Sequence, residues 1–305
     1  MTASGSVLVS GATGLVGTRL VAALRRDGAA LRVLTRRPEA RGLGADVEAV
    51  GWDGLRIPAE ALADVRAIVH LAGEPVFAGR LTPARRQRIR ASRIESTQSI
   101  VEAVADLPPA SRPDALVCAS AVGFYGSRGD ERLDESAAPG EGFLADLCVE
   151  WERTAQSANA LGVRAVSLRI GIVLAAEGGA LARLALPFRA GFGGRLGDGR
   201  QWFPWIHIDD LVGMLRAALR DERWRGPVNA VAPAPVTNAE LTRILGRRLR
   251  RPTLLPIPAA LLRLVLGELA GELLDSRRVL PRAAQEWGFE FSFPSLDEAL
   301  AAELR

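Results

Sequence analysis

The chain has 305 residues, of which 39 are basic and 35 acidic, giving a formal charge of +4; 48% are apolar and 24% charged. That length can bury a sizeable core, and the composition excludes disorder over most of the chain. The small net charge also argues against a strongly basic nucleic-acid binder, although the sequence pI is near 10.2. The high pI follows from the residue types: every basic residue is arginine, there is no lysine, and only one tyrosine can lose a proton at high pH. Cys118 and Cys148 stand at no metal or disulfide spacing, which predicts a reducing, cytoplasmic location. The chain enters its first apolar run without a basic and then apolar leader, so no secretory signal is expected. The late apolar stretch 254–274 is too interrupted by proline, glycine and charge to predict a membrane span.

Seven apolar runs are expected as strands, at 7–10, 31–35, 47–50, 67–71, 115–120, 165–168 and 228–230. Helical patterns intervene, including 15–26, 83–106 and 144–160, and most of the runs are continuously apolar rather than alternating. That alternation predicts an α/β fold, a doubly wound parallel sheet covered on both faces, the Rossmann fold. Beyond Gly171 the rhythm changes to glycine-rich loops around a short helix, ending in the aromatic run Gln201-Trp-Phe-Pro-Trp205. Helices at 238–249, 258–274 and 296–304 follow. The expected organisation is a nucleotide-binding domain over 1–232, with substrate-side loops at about 175–205, and a small, mainly helical C-terminal lobe over 233–305.

The turn Gly11-Ala-Thr-Gly-Leu-Val-Gly17 lies between the first strand and the first helix. In that setting Gly11 permits the tight turn, Gly14 lets the backbone approach a pyrophosphate, and Gly17 lets helix pack on strand. Thr13, Leu15 and Val16 belong to the same phosphate-facing opening of the helix. The second run ends Thr35-Arg36-Arg37, with no acidic side chain to hold a ribose 2′-hydroxyl. An arginine pair there can grip a 2′-phosphate, so NADP(H) is the expected cofactor; the alternative is two solvated surface arginines. Further cofactor contacts are expected at other strand ends: Asp53 near the adenine, Leu71, Ala72 and Gly73 beside the pyrophosphate and ribose, Ala119 near the nicotinamide, and Gly171.

These residues resemble the extended short-chain dehydrogenase/reductases. The chain is most similar to their atypical "epimerase family" branch, sometimes labelled cell-division-inhibitor-like or nucleoside-diphosphate-sugar epimerase-like, which ends in a small domain of unknown function. The resemblance runs nearly end to end, through the glycine turn, His70-Leu-Ala-Gly-Glu74, Ser92-Arg93 with Thr97, Ala119-Ser-Ala-Val-Gly-Phe-Tyr-Gly126 and Glu150-Trp-Glu152. It continues through Leu168-Arg-Ile-Gly-Ile-Val-Leu174, Trp205-Ile-His-Ile-Asp-Asp210 and Gly288-Phe289. It implies a nicotinamide cofactor and a substrate-polarising role for Ser120. It also places the superfamily's proton-transferring Tyr and Lys near Leu144 and Cys148; a leucine has no proton to give, and a helical cysteine is most often a small buried hydrophobe.

Other groups are candidates to replace them. Tyr125, five residues after Ser120, is either a proton donor or a packed side chain with a satisfied hydroxyl. Glu74 is either a base or substrate hydrogen-bond partner, or a solvated loop acid. Arg93 is a candidate substrate contact for an anionic group, against one more solvated cation among Arg85, Arg86, Arg88 and Arg90. Trp205 and His207, on the aromatic loop, are candidate substrate contacts, although a structural histidine paired with Asp209 or Asp210 is the simpler reading of His207. No metal-ligand spacing occurs, and the arginine clusters at 85–93 and 247–251 lack the interleaved aromatics of a nucleic-acid surface. The expected function is an NADP(H)-dependent oxidoreductase or epimerase-like protein acting on a small carbonyl or hydroxyl compound; the alternative is a non-catalytic NADP(H)-binding regulatory protein.

Overall fold

A computed structural model describes residues 5–38, 44, 46–253 and 256–304. Leu254, which opens the apolar stretch weighed above, lies outside the described residues. Seven strands form one sheet: β1 (Ser6–Ser10), β2 (Leu31–Thr35), β3 (Val47–Gly51), β4 (Val65–His70), β5 (Ala115–Ala121), β6 (Arg164–Ile170) and β7 (Gly226–Ala230). Their spatial order is β7-β6-β5-β4-β1-β2-β3, and every pairing is parallel. Each expected strand is present within a few residues of its expected ends.

The sheet is apolar on both faces because both are covered. Val7 and Val9 point into one core layer with Val33, Val69, Val117 and Val166, against α1 (Leu15–Arg26) and α5 (Ile208–Arg220). Leu8, between them, points the other way and joins Leu34, Ile68 and Leu116 against Ile100 and Val104 of α2 (Pro83–Ala105). Each such fully buried aliphatic contributes about 1.5–3 kcal/mol. The expected helix at 144–160 is α3 (Phe143–Gln156), which tightens into a 3₁₀ turn over Ser157–Leu161 and ends at Gly162 in the left-handed conformation.

The strand order reverses between β1 and β4, so the loops after these strands diverge and leave a crevice at their carboxyl ends, the usual place for a ligand in such a sheet. After β6 come α4 (Gly179–Arg189) and, beyond β7, the C-terminal helices. These are α6 (Asn238–Leu249), α7 (Ala259–Leu266), α8 (Leu269–Leu274), α9 (Arg282–Glu286) and α10 (Leu296–Glu303). The expected single helix at 258–274 is broken: Gly267, at φ +60°, ends α7, and α8 starts two residues later. A third core joins the helical lobe to the segment that follows β6, with Leu241 and Leu245 of α6 and Leu296 and Leu300 of α10 packed on Leu174, Phe203 and Trp205. No helix among the described residues is long and apolar enough to cross a membrane.

Candidate functional site

The glycine turn has two closed positions and one open one. Gly11 has φ +71°, and a Cβ on it would lie 2.7 Å from the Leu71 carbonyl carbon and 2.8 Å from the Ala72 nitrogen. The loops after β1 and β4 therefore touch at backbone distance. A Cβ on Gly17 would lie 2.6 Å from the Ala12 Cα, so α1 lies on the turn only because that side chain is missing. Gly14 differs: it is exposed, a Cβ there would meet only the Gly11 oxygen at 3.3 Å, and it caps α1 without a side-chain hydrogen bond. The first turn of α1 has no acidic residue either, which leaves its outward amides available to an anion. Thr13 is exposed at this opening, and Leu15 and Val16 are half-buried behind it.

Beneath the crevice, His70 is fully buried, with Nδ1 2.6 Å from Ser10 Oγ and Nε2 3.0 Å from Ser96 Oγ. Burial pulls its pKa down to about 3, so the ring is neutral and pins β1, β4 and α2 together by one donated and one accepted hydrogen bond. Its Nδ1 partner, Ser10 Oγ, also accepts from the Ala72 amide at 3.4 Å.

Arg36 and Arg37 follow β2, beside β1 in the sheet, and both are exposed with no carboxylate partner among the described residues. The Arg37 amide donates to Thr35 Oγ1 at 3.2 Å, which sets the direction in which the chain leaves the strand. Asp53, two residues beyond β3, is exposed, and its carboxylate accepts from the Leu55 amide at 2.9 Å. That backbone hydrogen bond holds its pKa below the usual range.

On the other side of the crevice, Ser120 near the end of β5 donates to Glu152 Oε1 at 2.7 Å. Glu152 is gripped by both arms of the Arg169 guanidinium, at 2.9 and 2.8 Å, and both side chains are almost wholly buried. Arg169 also lies over the Phe124 ring, 3.4 Å from its centroid, and donates to the Tyr125 hydroxyl at 2.9 Å. That hydroxyl lies 2.6 Å from Asn229 Oδ1 and 3.0 Å from the Asp134 carbonyl oxygen. Tyr125 is 0% exposed, and burial pushes its pKa to about 12. The candidate proton donor therefore sits inside a closed network, with its proton and one lone pair already engaged.

Arg93 and Glu74 meet at the end of β4. The Arg93 guanidinium donates from Nη1 to the Glu74 carbonyl oxygen at 3.0 Å and lies over the Trp151 ring at 5.2 Å. Its pKa is lowered by burial. The Glu74 amide donates to Ser92 Oγ at 2.9 Å, and its carboxylate is half-buried, 3.7 Å from Arg88. Leu144 and Cys148 of α3 stand beside Gly123, whose Cβ would lie 3.4 Å from the Leu144 Cβ and 4.0 Å from the Cys148 sulfur. Burial pushes the Cys148 thiol up to about 12, which removes it as a nucleophile or acid.

Three expected residues lie in packing positions. Trp205 is 1% exposed within the third core, paired in register with Ile172, and presents no face to the crevice. His207 is equally buried: Nδ1 accepts from the Asp209 amide at 3.1 Å and caps α5, and the ring stacks on Phe293 at 3.6 Å. Its Nδ1 also lies 3.9 Å from the expected Asp209 carboxylate, while Nε2 lies 2.9 Å from Glu303 Oε1 of the last helix, at an angle that makes no hydrogen bond. Gly171 makes the sharp exit from β6, where a Cβ would lie 2.8 Å from the Pro204 oxygen. Ala119 is half-buried beside Ser120.

Sequence reasoning passed over the roles of Glu152, Arg169 and Asn229, although a signal was there. Arg169 and Asn229 interrupt strands that are otherwise apolar on both faces, and a charge in such a strand needs a buried partner. Among the described residues, no group of three or more His, Cys, Asp or Glu is placed to hold a metal.

Residues 7–230 match the NAD dependent epimerase/dehydratase family, and residues 257–303 match a domain of unknown function, DUF1731. The chain is 41% identical over 303 residues to the chloroplastic epimerase family protein SDR39U1 homolog of Arabidopsis thaliana, covering 97% of this chain and 86% of that one. It is 37% identical over 302 residues to epimerase family protein SDR39U1 of Homo sapiens, covering 96% and 98%. The crystal structure of the human protein with NADPH superposes with a TM-score of 0.87 at 34% identity, covering 98% of this chain and 99% of that one. With a family match that spans the whole sheet from β1 to β7, and relatives similar from end to end, the chain belongs to the NAD-dependent epimerase/dehydratase family.

Proposed function

We propose that this protein binds NADP(H) and is an oxidoreductase or epimerase-like enzyme acting on a small carbonyl or hydroxyl compound. The observation that carries the cofactor is the open Gly14 position at an uncapped helix N-terminus, between two glycines whose side-chain space the fold has closed. The similar human protein was solved with NADPH, which supports the phosphorylated form of the cofactor. Gly11, Gly14 and the first amides of α1 would hold the pyrophosphate, and Arg36 and Arg37 the 2′-phosphate. Leu71, Ala72 and Gly73 would line the ribose, Asp53 the adenine, and Ala119 the nicotinamide. A bound nicotinamide supplies or accepts a hydride. Two buried free thiols suit a cytoplasmic, reducing compartment.

Replacing Arg36 and Arg37 together by Ala is expected to weaken NADPH by about 1.5–3 kcal/mol, the usual value of lost charged hydrogen bonds, while NADH changes little. Fluorescence titration of both cofactors measures it. Equal affinity of the unmodified protein for the two would remove the 2′-phosphate assignment.

For the proton, Ser120, whose single proton is donated to Glu152, would orient a substrate hydroxyl by accepting from it, and Glu74, the half-buried carboxylate at the end of β4, is the acid or base. Glu74→Gln is expected to lower turnover of a carbonyl substrate by about 100- to 10,000-fold. Tyr125→Phe, by contrast, is expected to cost about 1–3 kcal/mol of stability, because Asn229 and Arg169 each lose a buried partner, with turnover of the folded protein retained. A carbonyl screen read by NADPH oxidation, followed by both variants, decides between the two groups. Tight NADPH binding with no turnover across the screen would favour the second reading, a non-catalytic NADP(H)-binding regulator, which is supported by the closed Tyr125 network and the Leu144 and Cys148 positions.

A further inference from the structure

We propose that Arg93 is the recognition group for a carboxylate on the substrate, whose apolar body lies along a wall of Val76, Leu81, Phe143 and Leu144. This rests on the reading that the crevice is a substrate site, and it names the substrate class. Every hydrogen bond of the Arg93 side chain runs from Nη1, to the Glu74 oxygen at 3.0 Å, the Ile89 oxygen at 3.3 Å and Ser92 Oγ at 3.4 Å. Those three acceptors hold the guanidinium plane in place. Its Nε and Nη2 have no partner among the described residues, and these two N–H groups form the edge that matches a carboxylate in a bidentate pair.

The neighbouring acids are occupied elsewhere. Glu74 sits against Arg88, Glu150 against Arg90, and Glu152 against Arg169. Arg93 is thus a largely dehydrated cation with no carboxylate at ion-pair distance among the described residues; Glu74 favours its charge only from further off, and a ligand anion on the free edge would offset the cost of burial. Its position suits that role. The guanidinium carbon would lie 3.2 Å from a Cβ on Gly73, so it borders the loop after β4 on one side and the Trp151 ring of α3 on the other.

The surroundings decide between a carboxylate and a phosphate. Val76, Leu81, Ala119, Phe143 and Leu144 are partly exposed and pack on one core of Ile89, Ile94, Cys118, Leu147 and Trp151. Arg86 lies over the Phe143 ring at 5.1 Å but is paired with Glu268, so the Arg93 edge is the open fork here; a phosphate dianion needs several donors, whereas one guanidinium edge satisfies one planar monoanion. The apolar wall then takes the rest of the molecule, with the loop after Glu74 leading past Phe77 to α7, where Arg80 Nη2 donates to the Leu264 oxygen at 3.1 Å. Phe77 is 46% and Leu264 73% exposed, which continues the apolar surface outward.

The test is calorimetric titration of hexanoate and of its uncharged isostere hexanamide, with and without saturating NADPH, into the unmodified protein and into Arg93→Met and Arg93→Lys. Hexanoate is expected to bind about tenfold tighter than hexanamide, the preference to vanish in Arg93→Met, and to fall about threefold or more in Arg93→Lys, which keeps the charge and loses the fork. Circular dichroism establishes that each variant is folded, and Arg93→Lys decides alone if Arg93→Met is not. Equal binding of the two probes by the unmodified protein, or an undiminished preference in a folded variant, overturns the proposal. NADPH titration of the same samples reads the cofactor assignment separately. A protein that prefers hexanoate through Arg93 but binds no NADPH upholds the carboxylate site and overturns the cofactor reading, and the converse result does the reverse.

Discussion

Arg169→Met is expected to lower the unfolding free energy by about 3–5 kcal/mol, the usual consequence of removing one partner of a buried ion pair. The reason lies in what is left behind. Glu152 would keep its charge at a site where its side chain is only 10% exposed, with Ser120 as its remaining hydrogen-bond donor. The Tyr125 hydroxyl would lose its donor at the same time, and the Phe124 ring the cation above it. Replacing both partners, Arg169→Met with Glu152→Leu, is expected to recover much of the loss, since an apolar pair leaves no charge unpaired. Denaturant unfolding with an unchanged m-value measures both variants. A loss below about 1 kcal/mol for Arg169→Met would mean that water or another cation reaches Glu152.

Gly14→Val is expected to weaken NADPH binding by about 100-fold or more while the protein stays folded, whereas Gly17→Val is expected to prevent folding. The two glycines stand three residues apart in one motif, yet their surroundings differ. At Gly14 the backbone is extended, with φ −81° and ψ 170°, a conformation any residue adopts, and a Cβ has open space beyond the Gly11 oxygen. A branched side chain there fills only the volume a pyrophosphate would take. At Gly17 the added carbon would enter the Gly11 and Ala12 backbone, and α1 would have to leave the sheet. Cofactor titration and thermal unfolding of both variants separate ligand loss from fold loss. A folded Gly14→Val protein that binds NADPH undiminished would reduce the motif to a tight turn.

The positions where the resemblance places the proton-transferring pair hold no group that titrates near neutral pH. Residues 144 and 148, where the resemblance places the Tyr and Lys, hold a leucine and a buried thiol, and the lone tyrosine nearby is sealed into a hydrogen-bonded network. The other polar groups at this end of the sheet are Ser120 of β5, held by Glu152 of α3, and Arg93, Ser92 and Glu74 of α2 and the loop after β4.

The amino-acid sequence by itself determined the strands, the glycine turn, the first helix at 15–26 and the helix at 238–249, because each rests on local patterns. Apolar runs buried on both faces, a helical period and turn glycines all act over a few residues. It also carried the family, through motifs spread along the chain. It did not determine what the polar side chains do. Tyr125 could not be read as sealed, because Arg169 and Asn229, which seal it, lie 44 and 104 residues away and approach only when β5, β6 and β7 stand side by side. His207 meets Glu303 of the last helix for the same reason, and Trp205 is buried by the arrival of α6 and α10. The break at Gly267 was missed because the residues on both sides favour a helix, and only the φ of +60° adopted there separates α7 from α8. Hydrogen bonds, ion pairs and burial depend on which distant segments become neighbours, and only the packed tertiary structure decides that.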